Sequence, residues 1–165
     1  MAIYKGVEFD WPLDRNIIRR GLNNHTFGMV RTSSNGQPRA HQGWDFYANV
    51  GTPCYAVADG EIVFCGMRGA FGNMVVIDVA GADVFPAYAH LSEIRVDRGQ
   101  QVKRGDLIGY TGNSGNAESL TGEDQHLHFE IREYPLPGLG LDGRMSPMVI
   151  YGVCPLRKAE SRKGA

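Results

Sequence analysis

Apolar and polar positions alternate along this chain in short runs, so the two-residue period of a half-buried strand dominates over the 3.6-residue period of a helix. The stretch "HLHFEIRE", 126–133, is the clearest case. Residues i and i+2 of a strand share a side, so His126, His128 and Glu130 face one way and Leu127, Phe129 and Ile131 the other. Further runs rich in β-branched and aromatic residues are "PCYAVAD", "GEIVFCG", "NMVVIDVA", "VFPAYAHL" and part of "QQVKRGDLIGYTG". Turn residues separate them at spacings that suit antiparallel hairpins, and 22 glycines with 8 prolines fit so many turns. One segment, "LDRNIIRRGL" at 13–22, reads as a short helix. The pattern predicts a mainly β single domain, built on an antiparallel sheet with few short helices.

The polar, glycine-rich stretch "TGNSGNAESLTGED", 111–124, reads as a surface loop that delivers the chain into the 126–132 strand and walls whatever that strand builds. A proline- and glycine-rich connection, "EYPLPGLGLDGRMSP", follows Arg132, and the apolar piece "MVIYGVC" after it is expected to close an edge. No linker divides the chain. A core at 41–132 is expected to carry an N-terminal segment, 1–40, packed on it, and a C-terminal extension, 133–165, that ends in the basic, fraying tail "LRKAESRKGA".

Composition narrows the function without identifying it. With 42% hydrophobic and 21% charged residues the chain is ordinary globular protein. A net charge of −1 supplies no field for nucleic acid or an anionic membrane. No run of about 18 apolar residues is present, which argues against membrane insertion, and the first residues do not read as a signal peptide. The three cysteines lack CxxC spacing, which argues against a cysteine-rich zinc cluster or a thioredoxin-like motif. If Asp59 and Gly60 formed a two-residue turn, the hairpin would bring Cys54 opposite Cys65; the pair is then either a disulfide or two small buried side chains.

Candidate chemistry gathers on the histidines. His126 and His128 could hold a metal, serve as acid and base, or be solvated. His41 and Asp45 in "HQGWD" are both good zinc ligands, but on a straight strand their Cα atoms would lie about 13 Å apart, so the chain must bend, and Gly43 midway permits it. His90 in "YAHLS" follows another apolar run. Four of the five histidines thus fall in three strand-like segments, and together with Asp45 they make a site the better explanation.

In this order, "HQGWDFYANVGTPCYAVADGEIVFCG", "GNMVVIDVAG", "YAHLS", "VDRGQQVKRGDLIGYTGNSG" and "HLHFEIR" resemble the lysostaphin and LytM-type zinc metallopeptidases of peptidoglycan, over positions 41–132. The resemblance implies that His41, Asp45 and His128 bind one Zn²⁺ per chain, with His90 and His126 beside it as catalytic groups. Three protein ligands leave the fourth position of a catalytic zinc open. The implied activity is hydrolysis of a peptide bond in a peptidoglycan cross-bridge or stem; the alternative is a noncatalytic relative that binds peptidoglycan or regulates a hydrolase. Tyr88, on the side of His90 by parity, and Arg31 and Trp44 are candidates for contacting substrate. Glu130 could orient a histidine, and His25 reads as a groove or surface residue. The family usually enters its HLH strand through a shorter loop than "NSGNAESLTGEDQ", which leaves the cleaved bond open. Action is expected in the periplasm or outside the cell, by a monomer, with an inhibitory immunity partner if the protein is a secreted effector rather than a phage component.

Overall fold

A computed structural model describes residues 1–164. The strands in chain order are β1 (Ala2–Tyr4), β2 (Val7–Phe9), β3 (Arg15–Asn16), β4 (Gly28–Thr32), β5 (Pro38–His41), β6 (Trp44–Tyr47), β7 (Pro53–Tyr55) and β8 (Gly60–Met67). They continue as β9 (Asn73–Asp78), β10 (Phe85–Ile94), β11 (Gln101–Val102), β12 (Leu107–Thr111), β13 (His126–Arg132), β14 (Arg144–Met145) and β15 (Glu160–Ser161), with a single α-helical turn, α1 (Met148–Tyr151), before β15. The protein is mainly β, as the two-residue periodicity predicts.

Nine strands form one antiparallel sheet in the order β11-β8-β9-β10-β12-β7, and β13 branches from β10 to carry β6 and β14. The branch lies at His90. The first half of β10, Phe85–Ala89, pairs with β13, whereas Leu91–Ile94 pairs with β12, so one long strand serves two neighbours on the same edge. At the changeover His90 has φ +60°, and the ladder with β9 shifts register between Tyr88 and Leu91.

Alternation along β13 divides its residues as the sequence suggests. Leu127, Phe129 and Ile131 enter the main apolar core with Phe46, Trp44, Tyr88 and Trp11. The opposite side faces a groove and is buried as well, down to Glu130 at 0% and Arg132 at 1% exposure. Room for the large side chains on this side comes from small partners: Ala89 lies opposite His128 and Ala87 opposite Glu130.

Gly43 connects β5 to β6, but its necessity is close approach rather than an unusual φ. A Cβ there would sit 2.2 Å from the Phe129 carbonyl oxygen, which belongs to the strand that carries His128. Gly43→Ala is therefore expected to push β6 off β13, lowering stability by about 2–3 kcal/mol, read as a fall in the thermal midpoint.

Several expectations change. The 13–22 segment is not an α-helix: Asn16 pairs with Glu160, the Asn16 side chain bonds Leu13 backbone atoms at 3.0 and 2.6 Å, and only a 3₁₀ turn forms, at Arg19–Gly21. The tail expected to fray is instead tied down as far as Lys163, because β15 pairs with β3, Arg162 contacts Asp14 at 2.9 Å and the Lys163 amide donates to Asp10; residue 165 lies outside the described residues. The 54–65 hairpin does not form either. β7 pairs with β12 and β8 with β9, so β9, β10 and β12 lie between Cys54 and Cys65, and both are free. Burial pushes the Cys54 thiol pKa up, which leaves it an inert core group. No helix among the described residues is long and apolar enough to cross a membrane.

Candidate metal centre and active site

Cross-strand register assembles the site. In the β6/β13 ladder His128 lies directly opposite Asp45, and Phe129 opposite Trp44, so one face of the pair carries the polar groups and the other the aromatics. His41, at the end of β5, reaches the same point after the chain turns at Gln42 and Gly43. One ligand atom from each of His41, Asp45 and His128 lies within 4.8 Å of the others, and all three residues are buried. These side chains, with His90, His126 and Phe71, line an open groove of about 340 Å³.

Hydrogen bonds to the far nitrogens settle which imidazole atom faces the groove. Nδ1 of His41 contacts the Thr26 carbonyl at 2.7 Å, Nδ1 of His90 that of Ser114 at 2.8 Å, and Nδ1 of His126 that of Asp124 at 2.8 Å. A carbonyl only accepts, so each Nδ1 carries a hydrogen and each neutral ring turns an Nε2 lone pair to the groove. His128 is reversed. Its Nε2 contacts the Glu130 carboxylate at 2.8 Å and its Nδ1 lies 2.8 Å from Oδ1 of Asp45.

Asp45 divides its two oxygens. Oδ1 faces Nε2 of His41 at 3.1 Å, Nδ1 of His128, and Nε2 of His126 at 3.7 Å. Oδ2 accepts from Arg31 at 3.0 Å, with His25 at 3.3 Å and Arg19 at 3.9 Å. Burial alone would raise the Asp45 pKa. The surrounding imidazoles outweigh it, through the positive charge His126 carries when protonated and the hydrogen bonds that His128, His25 and His41 donate when protonated, and hold the carboxyl well below its usual range.

The donor set suits a divalent cation. With its far nitrogen on the Thr26 carbonyl, neutral His41 aims a lone pair at an ionised oxygen 3.1 Å away, and the proton that His128 holds between Asp45 and Glu130 is the positive charge that a bound cation would replace. Separations of 3.1 and 2.8 Å are near the ~3.4 Å between ligand atoms of a tetrahedral zinc with ~2.1 Å bonds. Two imidazoles and one carboxylate fit zinc, and they are too few oxygens for calcium or magnesium. The carboxylate behind His128 is the partner that commonly fixes a metal-bound histidine. Glu130 is itself held by Arg132 at 2.7 Å and Arg144 at 2.6 Å, both on Oε1.

Burial lowers the His126 pKa and, with the charges of His128 and His126, the His90 pKa to about 4, so both are neutral near pH 7. Their ring centroids are 5.2 Å apart. His128 differs: hydrogen bonds to Asp45 and Glu130 overcome the lowering by burial and raise its pKa to about 9.

His90 holds its place through left-handed backbone, which is uncommon outside glycine and concentrates at functional sites. It also breaks the parity on which Tyr88 was expected in the groove. Tyr88 is core: its hydroxyl donates to the Tyr55 carbonyl at 2.9 Å and accepts from the Val57 amide at 3.0 Å. Trp44 is likewise core, with its indole stacked near Trp11 and Tyr151, because its register partner is Phe129. His90→Gly is expected to be more stable than His90→Ala by about 1 kcal/mol, since glycine adopts this φ freely; thermal unfolding of the two variants checks it.

Arg31 lines the groove. Sequence reasoning did not reach Arg19, Arg132 or Arg144, and left His25 and Glu130 undecided. The parity of β13 already places Glu130 and Arg132 on the histidine side; nothing local marks Arg19 or Arg144.

The family model described as "Peptidase family M23" matches residues 39–139. Over 111 residues, 61% of this chain and 24% of the relative, the chain is 40% identical to the peptidoglycan DD-endopeptidase ShyA of Vibrio cholerae. It spans 18 to 24% of the length of the first curated relatives it matches. The catalytic domain of the antimicrobial peptidase lysostaphin from Staphylococcus simulans superposes with a TM-score of 0.61 at 30% identity, covering 79% of this chain and 94% of that one. A zinc-containing peptidase from Vibrio cholerae gives 0.61 at 31%, covering 82% of this chain and 39% of that one.

Proposed function

Because this chain belongs to peptidase family M23, we propose that it is a zinc-dependent endopeptidase that hydrolyses a peptide bond of bacterial peptidoglycan, in a stem peptide or cross-bridge, outside the cytoplasmic membrane. The observation that carries the reading is the convergence of His41, Asp45 and His128 within 4.8 Å, beside two further histidines whose Nε2 atoms face the same groove. His41 through Nε2, Asp45 through Oδ1 and His128 through Nδ1 would hold one Zn²⁺, which when bound supplies Lewis-acid polarisation of a carbonyl and acidification of a water near neutral pH.

The protein's own groups supply orientation and proton movement. Neutral Nε2 atoms on His90 and His126 can take a proton from the attacking water and return one to the leaving amine, and their Nδ1 bonds to fixed carbonyls hold both rings at the groove. Once protonated, either ring can donate to an oxygen that gains charge in the transition state. Glu130 positions His128 by accepting from Nε2, and Arg31 positions Asp45 by occupying Oδ2. Phe71, its ring 6.1 Å from that of His128, keeps one side of the site apolar.

Digestion of purified peptidoglycan with and without chelator, with mass analysis of the soluble fragments, tests the reading. Release of peptide-cleaved fragments that stops with chelator and returns with zinc is expected. Stoichiometric zinc without any soluble product would favour a binding protein instead.

A further inference from the structure

We propose that Arg19, Arg31 and Arg39 form a subsite for a substrate carboxylate beside the metal-ligand cluster, which selects stem peptides with a free carboxylate near the scissile bond over an uncharged glycine bridge. This rests on the peptidase reading above. A second cavity adjoins the groove, and the same three arginines line both, so they form the shared rim. Asn24, His25 and Thr32 complete the polar lining of the second cavity, and no carboxylate lines it.

Their placement is unfavourable without an anion. Arg31 and Arg39 are direct cross-strand partners in the β4/β5 ladder, a position in which like charges repel. The charges of Arg39 and Arg19 both oppose that of Arg31. Only Asp45 answers inside the groove, through one oxygen at 3.0 Å from Nη2 of Arg31. Arg19 spends Nη2 on Asp124 at 3.0 Å, yet its Nε is buried with no hydrogen-bond partner. Arg39 is exposed and has no ion pair or side-chain hydrogen bond among the described residues. A guanidinium with free donors in a partly enclosed basic cavity is the group that binds carboxylate in a forked, two-bond geometry. The contact between Arg31 and Asp45 sets the distance: an anion on this rim lies about one residue from a bond being cut at the cluster.

Two carboxylates of a stem peptide meet that description, the α-carboxylate at a chain end and the side-chain carboxylate of a diamino-diacid residue. A glycine bridge has neither. The test measures kcat/KM of the zinc-loaded protein, and calorimetric affinity of its His126→Gln variant, for a cross-linked stem peptide, its two singly amidated forms and pentaglycine capped as its C-terminal amide.

Amidating the recognised carboxylate is expected to weaken binding and kcat/KM by about ten- to a hundredfold, and the amide that does so identifies the source. Arg39→Gln should abolish the discrimination and Arg39→Lys should retain part of it. Equal affinity for free and amidated peptides, discrimination unchanged in Arg39→Gln, or pentaglycine bound as tightly as the acid would each overturn the subsite. Zinc-dependent hydrolysis that ignores amidation would remove the subsite and leave the peptidase reading intact. Carboxylate-dependent binding without hydrolysis would do the reverse.

Discussion

His128→Ala is expected to eliminate zinc binding at micromolar metal and, with it, all measurable peptidoglycan hydrolysis. The imidazole lies between two buried carboxylates, with Nδ1 on Asp45 and Nε2 on Glu130, both at 2.8 Å. Structural zinc sites with four ligands bind with about 10–16 kcal/mol, so one ligand is worth roughly 3–4 kcal/mol, or a few hundredfold in affinity. Removal of the ring also strips Glu130 and Asp45 of a buried partner, which adds destabilisation of about 3 kcal/mol. Zinc content after dialysis, read beside thermal unfolding with and without added metal, separates the two effects: the variant should gain no stability from zinc, whereas the parent protein should gain it in proportion to the logarithm of metal concentration.

His126→Ala is expected to behave oppositely. Its Nε2 faces the groove 3.7 Å from Oδ1 of Asp45, and its Nδ1 is engaged by a backbone carbonyl of the preceding loop. Deletion of a group that moves protons lowers turnover by about 10²–10⁴ while leaving the ligands in place. The expected result is one bound zinc, near-normal KM and a kcat reduced by that factor. A kcat/KM profile flattened on its acidic side would follow from losing a neutral imidazole whose protonation ordinarily stops the reaction. Loss of zinc from this variant would reverse the assignment of the two histidines in HLH.

Much of this arrangement is legible in the sequence because strand parity is strict. Alternation in "HLHFEIR" separates the histidines from the core residues correctly, and adjacent β6 follows the same rule, with Asp45 opposite His128. Parity fails where backbone leaves the extended region. His90 at φ +60° carries its ring to the groove while Tyr88, two residues earlier, stays in the core. The same break is where β10 changes partner from β13 to β12, a long-range event that no local pattern records.

Long-range pairing also explains the other misreadings. A turn at Asp59 and Gly60 is locally reasonable, yet β7 finds β12 and β8 finds β9, which takes Cys54 and Cys65 into separate parts of the sheet. The 13–22 segment has a mixed pattern too weak to resist capture by β15, 144 residues away through the Asn16 contact with Glu160. Arg144 reaches Glu130 from the C-terminal extension, and Arg19 reaches Asp45 and Asp124 from the N-terminal segment. Such residues carry no motif, because what matters is only where the guanidinium ends.

Zinc K-edge X-ray absorption on the metal-loaded protein, repeated on the His128→Ala and His126→Ala variants, tests the central claim most directly. One zinc per chain bound by two imidazoles and one carboxylate, with at least one exchangeable light-atom ligand, and this spectrum lost in His128→Ala but kept in His126→Ala, is the predicted result. A centre closed by four protein ligands, or one that survives the loss of His128, would contradict it.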